Sequence, residues 1–169
     1  MKTITDYFGY ALMLVQPSLM KNYFELRCGD DLIMTMENPK FFSTNSLIRF
    51  YDKEWEVKSE SFWKNNILVF EKGKTDSVAN AVVKFFKKTI IELPKGEKLF
   101  IKFGVWSGKI SILTELEIPV ATFKRKFSFK EKTEITIEQK HKTLDIYPWI
   151  IMLVLHIDIA RRRRSHAAH

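Results

Sequence analysis

The segment from Trp149 to Leu155 of this 169-residue chain is apolar on every side. A helix of that kind cannot lie on a surface with one wet face; it is buried in protein or in lipid. Apolar character extends from Leu144 to Ala160, and Arg161, Arg162, Arg163 and Arg164 close the stretch. The pattern predicts a helix over about 144–162. Asp145 would be its N-cap, Pro148 would sit in the first turn where a missing N–H costs nothing, and the arginines would face the negative end of the dipole. A membrane span needs about 20 apolar residues. The apolar stretch 146–160 is shorter than that and already contains His156 and Asp158. An aspartate near the centre of a span costs about 2.5–3.5 kcal/mol. The helix is therefore expected to thread the protein's own core, with a C-terminal membrane anchor as the competing reading.

What surrounds such a helix must be able to enclose it. The rest of the chain reads as short strands, because apolar runs of period two are broken by turn residues. The runs fall at 12–15, 23–27, 32–37, 47–51, 54–59, 67–71, 78–86, 89–93, 98–103, 109–113, 120–126 and 133–139, with a further short strand at 127–129. Gly29-Asp30-Asp31, Asp52-Lys53, Gly73-Lys74 and Pro94-Lys95-Gly96 supply turns. Ile110 and Ile112, and Ile135 and Ile137, alternate with polar neighbours. Phe123, Arg125 and Phe127 point opposite to Lys124 and Lys126. These are half-buried antiparallel strands.

A weak repeat underlies the pattern. Lys21-Asn22-Tyr23-Phe24-Glu25-Leu26 resembles Lys64-Asn65-Asn66-Ile67-Leu68-Val69, and Trp63 matches Trp106, both 43 residues apart. Val78-Ala79 and Val120-Ala121, and Phe41-Phe42 and Phe85-Phe86, stand at nearly the same offset. Three copies of about four strands are too few for a propeller. A single closed barrel uses the same strands and removes the exposed edges. The expected fold is mostly β: a closed antiparallel barrel of about 12 strands around the C-terminal apolar α-helix. Residues 1–164 read as one domain, followed by a disordered tail at 165–169.

In this organisation the chain resembles the tubby C-terminal barrel and its shorter LURP-one-related and phospholipid-scramblase-like relatives. The resemblance rests on Val120-Ala121-Thr122-Phe123-Lys124-Arg125-Lys126-Phe127, the strand 134–138, and the helix 148–159 with its basic end. Gln16-Pro17-Ser18-Leu19, leading into Phe24-Glu25-Leu26-Arg27 and Gly29-Asp30-Asp31, adds to it. The resemblance implies a barrel closed around its last helix and a role at lipid: tubby domains bind phosphoinositide headgroups, and scramblase-like members act at membranes.

The residues themselves point the same way. Net charge is +8, and the four consecutive arginines supply half of it. A basic balance implies anionic partners. Two clusters interleave cations with aromatics: Lys84-Phe85-Phe86-Lys87-Lys88 and Phe123-Lys124-Arg125-Lys126-Phe127. Near-equivalent positions in the repeat would place them on neighbouring staves. Lys84, Lys87, Lys88, Lys124, Arg125 and Lys126, with Arg161 to Arg164, are the candidate ligands for an anionic headgroup, since lysine offers a point charge and arginine a bidentate fork. The bland alternative is a solvated strand face whose charges deter edge pairing.

Other chemistry has no motif to rest on. There is no G-x-S-x-G, P-loop or G-x-G-x-x-G, and the glycines are isolated. The four histidines form no zinc spacing with Cys28, the single cysteine, which reads as packing. Lys2 and the interrupted apolar stretch 7–15 do not read as a signal peptide. The expectation is a non-enzymatic cytoplasmic protein, peripheral to a membrane, with no cofactor and no metal. A protein-interaction or structural module is the alternative, and nucleic-acid binding is the least favoured.

Overall fold

The structure, a computed structural model, describes residues 1–38, 45–60, 65–84 and 88–167. Phe41-Phe42, Trp63, Phe85-Phe86 and Lys87 lie outside the described residues.

Twelve strands form one closed antiparallel barrel. In chain order they are β1 (Ala11–Val15), β2 (Tyr23–Cys28), β3 (Asp31–Glu37), β4 (Ser46–Phe50), β5 (Lys53–Ser59), β6 (Asn66–Glu71), β7 (Ser77–Val82), β8 (Thr89–Glu92), β9 (Lys98–Phe103), β10 (Lys109–Leu113), β11 (Pro119–Arg125) and β12 (Lys132–Ile137). Each strand pairs with the next, and β1 closes the ring on β12 with Leu12 opposite Ile135. Closure leaves no edge strand to recruit another chain.

Period-two patterning decides which side chains point inward. Trp55 and Val57 of β5 are buried while Glu54 and Glu56 are not, and Ile135 and Ile137 of β12 behave likewise. The inward set, with Leu12, Leu26, Met36, Val69, Ile101 and Phe123 among its members, is mainly apolar, with Ser46, Thr89 and Thr133 as buried polar members. A barrel of this many strands is too wide for such side chains to fill alone. The helices α1 (Lys142–Ile146) and α2 (Ile150–Ala167) follow β12, and α2 runs through the barrel. Ile150 to Leu155 and Ile157 join the barrel's inward residues in one hydrophobic cluster. No helix of the described residues is long and apolar enough to cross a membrane.

The repeat is visible in the sheet itself. Register shifts occur at Leu26/Arg27, Val69/Phe70 and Ile112/Leu113, where the partner strand carries one extra residue, Ile33 of β3, Val78 of β7 and Val120 of β11, and bends there. The shifts are spaced by the same 43 residues as the sequence copies. The three copies are β2–β5, β6–β9 and β10–β12, with β1 completing the ring.

Several expectations are corrected. The single helix over 144–162 is two helices, because Pro148 has no N–H to continue the ladder and drives the preceding residue out of the helical region. Tyr147 accordingly has φ −123° and ψ 64°. Asp145 is not an N-cap. It accepts bonds from the Thr5 N–H at 2.9 Å and the Thr5 hydroxyl at 2.7 Å, and so pins the 3-10 turn Ile4–Tyr7 across the end of the barrel where α2 enters. Helix α2 continues to Ala167, through residues expected in the tail. The stretch 127–129 is hairpin rather than strand, and β7 stops at Val82. The turn after β4 is Tyr51-Asp52, with Tyr51 in the left-handed region at φ 54°.

Leu153 is fully buried at the centre of the plug. Leu153→Ala should lower the unfolding free energy by about 2–5 kcal/mol, the range for a cavity at a packed site. Urea titration followed by far-ultraviolet circular dichroism measures it, and a loss below about 1 kcal/mol would show that α2 is not tightly held.

Candidate anion-binding rim

Odd-numbered strands run toward one end of the barrel and even-numbered strands away from it. Helix α2 enters at the lower rim, beneath the Tyr51-Asp52 turn, and emerges at the upper rim. The upper rim carries the connections β1–β2, β7–β8, β9–β10 and β11–β12. Lys84, the cluster at the end of β11 and the arginine run therefore share one end of the molecule. Lys84 and that cluster do not lie on neighbouring staves, however: β7 and β11 are separated by β8, β9 and β10.

The rim's candidate ligands differ in what they already touch. Arg125 ends β11 on its inward face, and its guanidinium donates to the Asp158 carboxylate of α2 at 2.7 Å. Arg162, one turn beyond Asp158, donates to the same carboxylate at 3.1 Å and to Glu131 at 2.8 Å. Asp158 and Glu131 are nearly buried, so these charges are kept from water by the pairing. Lys126 pairs with Glu134 at 3.0 Å, and Lys88 pairs with Glu117, in a turn of the lower rim. The Arg161 guanidinium stacks 3.6 Å from the centre of the Phe103 ring, and burial lowers its pKa. Arg125, Arg162, Arg161, Lys126 and Lys88 are thus engaged within the protein.

Lys84, Lys124 and Arg163 are exposed, and no ion-pair partner stands beside them among the described residues. Arg164 is half-buried at the same helix end, and Lys87 lies outside the described residues. Lys124 sits opposite Lys109 on β10, which adds a second positive charge beside it. The carboxylates that hold the engaged cations are not among the residues expected at the site. Asp158 figured only as a cost to a membrane span, although its spacing from Arg162 is the i,i+4 signal of a helix ion pair.

Beneath the arginines, His156 occupies the last buried turn of α2. Its Nδ1 lies 2.7 Å from the Ser46 hydroxyl, which donates to the Asn38 side-chain oxygen at 2.5 Å. A hydroxyl has one proton to give, so the bond pattern assigns the Nδ1 proton to the imidazole. Desolvation by burial, with Arg163 adding repulsion, pushes the His156 pKa down to about 4.

The lower rim holds a pocket of about 480 Å³ between the α1–α2 junction and the turns, lined by residues that include Asp52, Glu54, Trp55, Lys72, Tyr147 and Trp149. Its charges are largely consumed. Glu54 accepts from Lys72 at 2.5 Å and Arg49 at 2.6 Å, and these two cations hold its carboxyl below the usual range. Among the described residues no three His, Cys, Asp or Glu side chains are grouped to hold a metal ion.

No protein-family model and no curated protein sequence matches the chain. Among solved structures, an X-ray structure of a protein from Arabidopsis thaliana is similar to it, with a TM-score of 0.63 over 90% of this chain and 93% of the other, at 15% identity. At that identity the likeness establishes the shared fold.

Because His156 is held neutral, the unfolded chain binds more protons between its ordinary pKa of 6.5 and about 4. Stability from this residue is therefore full above pH 6.5 and is lost as pH falls through that window, by about 3 kcal/mol in all. His156→Gln keeps a hydrogen-bonding side chain and removes the titration. Denaturant midpoints of the two proteins should converge as pH drops from 7 toward 4; parallel pH profiles would show that His156 does not titrate on unfolding.

Proposed function

We propose that the chain is a non-catalytic barrel that binds anionic phospholipid headgroups at a membrane surface with its upper rim. One observation carries the reading: the basic end of α2 emerges through the same rim that bears Lys84 and Lys124, so positive charges far apart in the sequence converge on one end. The carboxylates near α2 there are already neutralised, Asp158 and Glu131 by arginines and Glu134 by Lys126. A field of one sign on one end steers association with an anionic surface. Each Lys or Arg brought near such a surface contributes about 1 kcal/mol. The barrel shared with the plant structure and the resemblance to tubby-like proteins support the same reading.

The geometry narrows the ligand set to Lys84, Lys124 and Arg163. Arg125 and Arg162 instead tie the plug to the barrel and the β11–β12 hairpin. The double reversal Lys124→Glu/Arg163→Glu should lower co-sedimentation with phosphatidylserine-containing vesicles at least tenfold (about 1 kcal/mol per charge removed). Lys74→Glu/Lys95→Glu, with the same change in net charge at exposed lower-rim turns, should change it little. Equal losses in the two variants would mean that net charge alone is at work. Wild-type protein that ignores these vesicles at low salt, and instead retains one stoichiometric protein partner, would replace the lipid reading with an interaction module.

A further inference from the structure

The upper rim carries a second feature that charge does not explain. Side chains that a folded chain normally covers stand out from three of its connections. Trp106 is 97% exposed, Phe129 is 96% exposed, and Phe127 makes no covering contact at all. Met20, Leu19 and Val105 stand beside them, exposed by more than half. Single exposed apolar residues are ordinary, but a contiguous group marks an interaction site. Here the group is contiguous. The hairpins β1–β2, β11–β12 and β9–β10 follow one another around the ring, because β1 pairs with β12 and β10 with β11.

The hairpins are held in place. Gln16 donates its backbone N–H to the Glu131 carbonyl at 3.0 Å, and Lys130 donates to the Pro17 carbonyl at 3.0 Å, joining the first hairpin to the second. Arg125 donates its backbone N–H to Gly108, joining the second to the third. The third needs both of its glycines: a Cβ at Gly104 would approach the Lys109 carbonyl to 2.9 Å, and Gly108 has φ +61°. Rings presented on fixed tips lose little conformational freedom when they bind.

We propose that these three adjacent hairpin tips insert Met20, Trp106, Phe127 and Phe129 into the interfacial layer of an anionic bilayer, while the lysines and arginines beside them meet the headgroups. The inference rests on the function proposed above and adds its mode and orientation. The occupant follows from shape and charge. The tips protrude from the barrel end, and a deformable layer accepts protruding rings where a rigid protein would need a matching set of pockets. Trp is at home at the boundary between headgroup and acyl chain. Lys21, Lys124 and Lys132, all exposed, flank the tips, complementing an anionic surface. A second copy is disfavoured, since a symmetric contact through this face would bring two arginine ends together.

The test uses the full chain and vesicles of phosphatidylcholine with phosphatidylserine, in which the acyl chains are brominated. Trp55 and Trp149 are buried and Trp63 is present in both proteins compared, so the component of a bromine quench that disappears in Trp106→Phe belongs to Trp106 at the rim. Wild-type emission should be quenched on binding, and Trp106→Phe should bind with that component lost. Phe127→Ser/Phe129→Ser should reduce binding at high salt at least about tenfold, given the transfer energy of two exposed rings, and these exposed positions leave the fold intact. Salt-sensitive binding without any Trp106-dependent quench would overturn insertion and leave headgroup binding standing. No binding to any vesicle would overturn both. Sedimentation showing self-association that the Phe127→Ser/Phe129→Ser change abolishes would assign the tips to a second copy and overturn insertion.

Discussion

Twelve strands enclose a volume that their own inward side chains do not fill, and α2 occupies it with side chains buried from Ile150 to Asp158. The two elements depend on each other. Without the helix, the barrel's inward face would border a wet cavity. Without the barrel, a helix apolar on every side would have no place in water. The lower rim is sealed by the same logic, with Asp145 holding the 3-10 turn Ile4–Tyr7 across the mouth while Ile4 and Tyr7 enter the core.

At the upper rim the plug changes character within two turns. Apolar packing gives way to His156, held neutral by burial and bonded to Ser46, and then to Asp158, which gathers Arg125 from β11 and Arg162 from its own helix. A buried carboxylate without such partners would be costly. The arginine run thus has two roles. Arg161 and Arg162 are folded into the barrel mouth against Phe103, Asp158 and Glu131, and Arg163 faces outward. This division explains how a strongly basic helix end can close a hydrophobic core and still leave charge for a partner.

The repeat has a structural counterpart that is more than similarity of letters. Register shifts recur at Leu26, Val69 and Ile112, one per copy, each bending a strand at a corresponding place around the ring. Regularly spaced bulges of this kind help a sheet curl and close. The asymmetry between the rims follows the same order. The two-residue turns, Gly29-Asp30 and Tyr51-Asp52, lie at the lower rim, and the exposed aromatic tips Trp106, Phe127 and Phe129 lie at the upper one.

Much of this was legible in the chain alone, for a physical reason: periodicity and composition are local. The all-round apolarity of 149–155 required burial, the shortness of the segment and its Asp158 argued against a membrane span, and alternation located twelve strands with ends mostly within a residue or two of those observed. Pro148 was legible too, but its effect on Tyr147 was not, because whether a proline opens a helix or divides one depends on how the neighbouring turn is covered. Which cations remain available was decided by the tertiary structure. Arg125 and Lys124 are adjacent in sequence, yet one is bound to Asp158, 33 residues away, and the other faces solvent. Gathering Leu19-Met20, Trp106 and Phe127 on one arc required the closure of β1 on β12. Ion pairs and rim neighbours depend on strand register and ring closure, and both join residues whose separation along the chain carries no signal.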